Sequence, residues 1–384
     1  MKNSKTLMFL FSSFIFSPIH SFAQEGAGTA AHVNAGYVGT YTKKEGHVDG
    51  KAEGIYAITQ DPKTGALSLE GTVAEVTNPS YVKTSPDGKY LYAVSELGPG
   101  DVESGFVHAF RILPNQQLEE INSVSSVGFA PCHIAVDASG DYVFVSNYVG
   151  GIVVLYQKEK NGALREKQVL RFENPEQSHP HSVTLSEDNK LAYIADLGND
   201  KIWIYNFDPE KGVLKPHPQV SVALPQGAGP RHLAFSADGN FIFSMNELNS
   251  SVSSFKVWED GSLQLLHTVS SLPQDFEGKN SGADIHVHPS GKFLYVSNRG
   301  HNSIAAFGID NASGKLKLLG HTSTGGKTPR NFSIGPEGEF LYAANQDTDS
   351  IAIFKIDPSS GNLKPHQEPL KIMTPVSVEF VEGQ

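Results

Sequence analysis

The sequence predicts an all-β protein, a seven-bladed β-propeller, on three observations. A four-strand pattern recurs seven times along the 384 residues. Helical i, i+3, i+4 periodicity is essentially absent beyond the first 23 residues. The two chain ends carry complementary fragments of one repeat, which predicts a closed ring.

Each repeat opens at a fixed point: Pro79, Pro131, Pro180, Pro230, Gly282, Pro329 and Pro375, at intervals of 46 to 52 residues. An apolar first strand follows and runs into a tight turn such as Pro86-Asp87-Gly88-Lys89 or Ala237-Asp238-Gly239-Asn240. Asp-Gly and its relatives supply the positive φ that short hairpins need, so Asp87, Asp188 and Asp238 are expected to be structural. A second strand returns, then a third such as Ile202-Trp203-Ile204, then a fourth beginning near Leu67, Leu118, Leu164, Leu214, Leu263, Leu316 and Leu363. The N-terminal unit begins with a second-type strand, Gly36–Tyr41, and the C-terminus ends in a lone first-type strand, Pro375–Phe380. Joined, they complete one blade and leave no open sheet edge. One domain over residues 36–381 is therefore expected.

Residues 1–23 read as an export signal: Lys2 and Lys5, an apolar run from Leu7 to Ile15, then Ser21-Phe22-Ala23 before a cut. Residues 24–35 read as a linker. The apolar run is too short and too interrupted to span a bilayer, which predicts a periplasmic or secreted protein with no membrane insertion after cleavage. A net charge of −11 argues against a nucleic-acid partner, and a single cysteine, Cys132, excludes intramolecular disulfides and Cys-rich zinc sites. A monomer is expected.

The hairpin geometry predicts where chemistry lies. The start of each first strand and the end of each second strand share one end of the hairpin, so both columns ring one mouth of the axial channel. The first column reads Ser80-Tyr81, Cys132-His133, His181-Ser182, Arg231-His232, Ala283-Asp284, Arg330-Asn331 and Val376-Ser377. The second reads Thr40-Tyr41, Ser95-Glu96, Asn147-Tyr148, Asp196-Leu197, Asn246-Glu247, Asn298-Arg299 and Asn345-Gln346. The recurring asparagines suit loop capping. The arginines occur in three blades alone, so the repeat does not require them, and three guanidiniums near one axis call for Asp284, Glu247 or an anionic ligand. His133, His181 and His232 suit acid–base work near neutrality. His179-Pro180-His181 and His286-Val287-His288 have strand-like ligand spacing, but no carboxylate stands at ligand spacing, so neither a metal nor another cofactor is expected. Loops 42–53, 97–104 and 271–281 are long enough to wall the mouth.

The run from Asn280 through Asp284 to Arg299-Gly300 resembles the signature of the seven-bladed propeller lactonases, the bacterial 6-phosphogluconolactonase type related to fungal carboxy-muconate lactonising enzymes. Tyr37-Val38-Gly39-Thr40-Tyr41-Thr42, Gly229-Pro230-Arg231-His232 and Thr328-Pro329-Arg330-Asn331 are similar to further motifs of that family. The resemblance implies metal-free hydrolysis of a sugar-acid lactone, either 6-phosphogluconolactone or, given the export signal, an unphosphorylated aldonolactone. It implies a catalytic set of His181, His232, Glu247 and Arg231, with His133, Asp284, Arg299, Arg330 and Asn331 binding substrate; Gln346 joins them from the strand columns. In the expected mechanism His181, His232 or Glu247 takes a proton from water. Arg231, Arg299 and Asn331 stabilise the carbonyl oxygen, and Arg330 holds a phosphate or hydroxyl. Two other readings use the same ring: a muconate-type lactonising cycloisomerase, and an exported propeller that binds without catalysis.

Overall fold

The computed structural model describes Met1 and residues 33–100 and 102–381. The expected export signal lies outside the described residues, as does most of the linker.

Seven antiparallel sheets form the ring, with strands following one another outward in chain order. Blade 1 runs from Val82–Thr84 to Leu118–Ser125, and blades 2 to 5 open at Pro131, Pro180, Pro230 and Ser281. Blade 6 opens at Pro329, and its outer strand is split into Leu363–Pro365 and Leu370–Lys371, both paired with Ser350–Ile356. Blade 7 is the closure: Pro375–Phe380 pairs with Asn34–Thr40 in the register Val38↔Val378. That second strand starts at Asn34, two residues before the expected domain boundary. Asn34 continues the ladder opposite Gln60 and donates to its Oε1 at 2.6 Å. Among the described residues the one helical segment is a 3-10 turn, Gln346–Thr348, and no helix is long and apolar enough to cross a membrane.

A single four-stranded sheet cannot bury both faces, so the apolar clusters lie between neighbouring blades. Phe144, Trp203 and Phe207 join blades 2 and 3, and Phe243, Leu294 and Phe307 join blades 4 and 5. Buried second-strand tyrosines also reach across: Tyr193 Oη donates to Gly261 O at 2.9 Å and Tyr295 Oη to Gly361 O at 2.8 Å. In the tight turns Asp87, Asp188 and Asp238 each accept from the serine two residues earlier, at 2.6–2.7 Å, as turn chemistry predicts.

One feature escapes strand counting. The register slips just after the opening residue in six blades, between Pro131 and His133, Pro180 and Ser182, Pro230 and His232, Gly282 and Ile285, Pro329 and Asn331, and Pro375 and Ser377. A bulge of this kind leaves an extra residue unpaired and re-aims its side chain. The extra positions include Cys132, His181, Arg231 and Arg330, so the bulges set the chemistry at the mouth.

Candidate active site

The mouth ringed by both columns holds a pocket of about 390 Å³. Its walls include His181, Glu247, Arg299 and Arg330 from the expected set, together with Glu96, Cys132 and Tyr148. The hairpin Lys44–Glu45/Val48–Asp49, within the expected loop 42–53, overhangs it with Glu45 and His47, and Gly98 comes from the second expected loop. No residue of 271–281 lines it.

Two carboxylates organise the arginines. Glu247 Oε2 lies 2.9 Å from Arg231 Nε and 2.9 Å from Arg299 Nη2. The Arg231 contact is electrostatic rather than a directed hydrogen bond, since its Nε–H finds no aligned acceptor. Both guanidiniums are tied further to carbonyls at the blade 5 bulge, Arg231 Nη1 to Ala283 O at 2.7 Å and Arg299 Nη2 to Gly282 O at 2.8 Å. Burial alone would raise the Glu247 carboxyl, but Arg299, Arg231 and Arg330 hold it below the usual range. Burial lowers Arg299 to about 10, and it lowers Arg231 as well, with Arg330 adding repulsion.

The second carboxylate, Glu96, accepts from Tyr41 Oη at 2.9 Å and from Ser80 Oγ. Arg330 stands over the Tyr41 ring at 5.6 Å, with Nη2 3.9 Å from Glu96 Oε1. That separation is too long for a hydrogen bond. Burial would lower Arg330, but Tyr41 and Glu96 outweigh it and keep the group charged. Its side chain is 13% exposed, and no described residue accepts a hydrogen bond from it. A buried guanidinium with a free planar fork is built to receive an oxygen ligand.

His133, His232, Asp284 and Asn331 stand behind this pocket rather than in its wall. Asp284 is their hub: its carboxylate accepts from His232 Nδ1 at 2.7 Å, His286 Nε2 at 3.0 Å, Asn331 Nδ2 at 2.5 Å and the Phe332 amide at 3.2 Å. Asn331 Oδ1 in turn accepts from Val378 N at 2.8 Å, so its amide links blades 5, 6 and 7. The His232 ring lies 5.3 Å from those of both His133 and His181. Arg231 Nη1 donates to its Nε2 at 3.3 Å. Gln346 turns away with the 3-10 segment, donates to Asp347 Oδ1 at 2.9 Å and borders a separate depression beside Lys44 and Lys51. The side chains that the expected set omitted, Tyr41, Glu96, Cys132 and Tyr148, all stand in the two columns. Equal register with Glu247 and Arg231 was the signal for them.

Burial is the main cause that keeps the three histidines neutral. It holds His133 and His181 well below the ordinary value and brings His232 to about 4, with Arg231 repulsion adding to the last two. Asp284 opposes the His232 shift but is itself ionised: burial would raise it, but His286 and the hydrogen bond from His232 carry it well below the usual carboxylate range. Between pH 6.5 and 4 the unfolded chain therefore binds protons that the folded chain refuses, and stability falls as pH falls. His232 alone contributes a loss of about 3 kcal/mol across that window. The urea midpoint is expected to drop clearly between about pH 7.5 and about pH 5; an unchanged midpoint contradicts the neutral, buried state of these rings.

Residues 35–380 match the family described as Lactonase, 7-bladed beta-propeller. The chain belongs to this family. Among relatives of this lactonase chain, a Bacillus subtilis protein named 6-phosphogluconolactonase is 34% identical over 77% of this chain and 84% of its own. A Formosa agariphila protein of the same name is 34% identical over 78% and 85%. A solved structure described as the Pseudomonas aeruginosa periplasmic gluconolactonase PpgL is 33% identical, covers 91% of this lactonase and 99% of that chain, and superposes with a TM-score of 0.84. The seven-bladed architecture and the lactonase assignment stand together.

Proposed function

We propose that this lactonase hydrolyses an unphosphorylated sugar-acid lactone in the axial pocket, with His181 as general base and Arg330 as the oxyanion donor. The observation that carries the reading is Arg330, a largely buried guanidinium with no hydrogen-bond acceptor among the described residues, in one pocket with a neutral His181 whose Nε2 has no hydrogen-bond partner among them. The lactone carbonyl oxygen sits on the Arg330 fork, and water lies between His181 Nε2 and the carbonyl carbon. His181 takes a water proton as the new C–O bond forms, and Arg330 holds the oxyanion. The intermediate then expels the ring oxygen, which takes the proton back from His181. The acid formed ionises and releases one proton to solvent.

The other two base candidates are occupied. The His232 Nε2 lone pair already accepts from Arg231 Nη1, and Glu247 is held ionised and weakly basic between two arginines. Arg231 and Arg299 are thus the frame that holds Glu247, and Glu247 Oε1 is left to accept from a sugar hydroxyl. The charge balance of the pocket supports a substrate without phosphate. Glu45, Glu96 and Glu247 balance Arg231, Arg299 and Arg330, so a phosphate dianion would enter without a matching cation. The similarity to a periplasmic gluconolactonase and the expected export signal support the same substrate class.

A pH-indicator assay of the mature protein tests this. D-Glucono-1,5-lactone is expected to show kcat/KM about tenfold or more above its 6-phosphate, and His181→Gln to lower kcat by about 10²-fold. A preference for the phosphorylated lactone overturns the substrate class, and full activity in His181→Gln overturns the choice of base.

A further inference from the structure

We infer that Cys132 is a positioning residue for His181: its sulfur accepts the Nδ1–H and fixes the imidazole in the tautomer whose Nε2 lone pair faces the pocket. The inference rests on the reading of His181 as the base. Cys132 and His181 occupy the extra position of the bulge in adjacent blades, and both are buried, at 5% and 4% exposure. Cys132 Sγ lies 3.7 Å from His181 Nδ1, 3.6 Å from His181 O and 3.7 Å from Ser146 O.

The hydrogen count decides the direction. A thiol carries one hydrogen, and a carbonyl oxygen can only accept. With two carbonyls in reach, the S–H goes to one of them and the sulfur turns a lone pair toward Nδ1. Nδ1 then bears the hydrogen, and Nε2, which hydrogen-bonds to no described residue, keeps its lone pair for water. The neighbouring histidine shows the charged version of the same device, because His232 Nδ1 donates to the Asp284 carboxylate at 2.7 Å. A carboxylate beside His181 would pull its proton affinity up; a thiol that burial keeps protonated sets the tautomer without adding charge.

Nitrogen-15 NMR of histidine-labelled protein near neutral pH, combined with lactone kinetics, tests the assignment. In the wild-type protein His181 is expected to show a protonated Nδ1 and an unprotonated Nε2. Cys132→Ala is expected to shift the ring toward the Nε2–H form and to lower kcat about tenfold, with KM changed less than about twofold. Cys132→Ser, whose hydroxyl also accepts and donates, is expected to restore most of the loss and the native tautomer. A wild-type spectrum with hydrogen on Nε2 overturns the inference, as does a folded Cys132→Ala protein with unchanged tautomer and kcat. If the alanine variant fails to fold, the wild-type spectrum still decides. Full turnover by His181→Gln would instead overturn the reading of the base, without altering the tautomer measured in the wild-type protein.

Discussion

Arg330→Ala is expected to lower kcat for lactone opening by about 10²–10³-fold, the loss typical of removing one preorganised oxyanion donor. Arg330→Lys is expected to recover part of that loss, because the charge returns but the planar fork does not. The fold should survive both changes. Glu96 keeps the Tyr41 and Ser80 hydroxyls as donors, and the Arg330 pair at 3.9 Å contributes no directed bond. The kcat and KM of each variant, with circular dichroism to verify folding, check this. A rise in KM alone, with kcat intact, would mean that Arg330 holds a remote part of the substrate and not the reacting oxygen.

Asp284→Ala is expected to be the most destabilising single change at the mouth, costing about 3–5 kcal/mol in unfolding free energy. It removes the acceptor of five donors at once: the His232 and His286 rings, the Asn331 amide and the Ile285 and Phe332 N–H groups. Because Asn331 passes the connection on to Val378, the loss reaches the closure between blades 6 and 7. Activity is expected to fall as well, since His232 would lose the partner that fixes its Nδ1–H and leaves Nε2 to accept from Arg231. Urea denaturation of the variant checks the first part, and a midpoint within error of wild type would remove Asp284 from its role as hub. Asp284→Asn should fall between the two, because an amide keeps one acceptor but presents hydrogens to neighbours that also donate.

The candidate site was legible to the level of a ring and no further. Arg231 and Arg330 follow the same opening proline in Pro230-Arg231-His232 and Pro329-Arg330-Asn331, and nothing local separates them. Across the axis, Arg231 meets Glu247 and a bulge carbonyl, whereas Arg330 meets an aromatic face and a carboxylate already supplied with donors. Gln346 occupies the same register as Glu247, yet the chain after Asn345 coils into a 3-10 turn and carries it off the pocket. Asn331 resembles a substrate ligand in sequence, and in the structure it bonds to Asp284 and Val378 behind the pocket. Each of these differences depends on a partner in another blade, at a sequence distance that no pattern spans.

By itself the amino-acid sequence determined the number of blades, the split closure of Pro375–Phe380 against an N-terminal strand read at Gly36–Tyr41, and the mouth toward which the polar columns face. It could do so because strand alternation and turn chemistry act between residues close in the chain. Only the tertiary structure decided which guanidinium stays free, which imidazole keeps an unclaimed nitrogen, and which side chains form the layer behind the pocket. Those outcomes follow from distances across the axis and from the bulge at each first strand, where one unpaired residue turns its side chain into the channel.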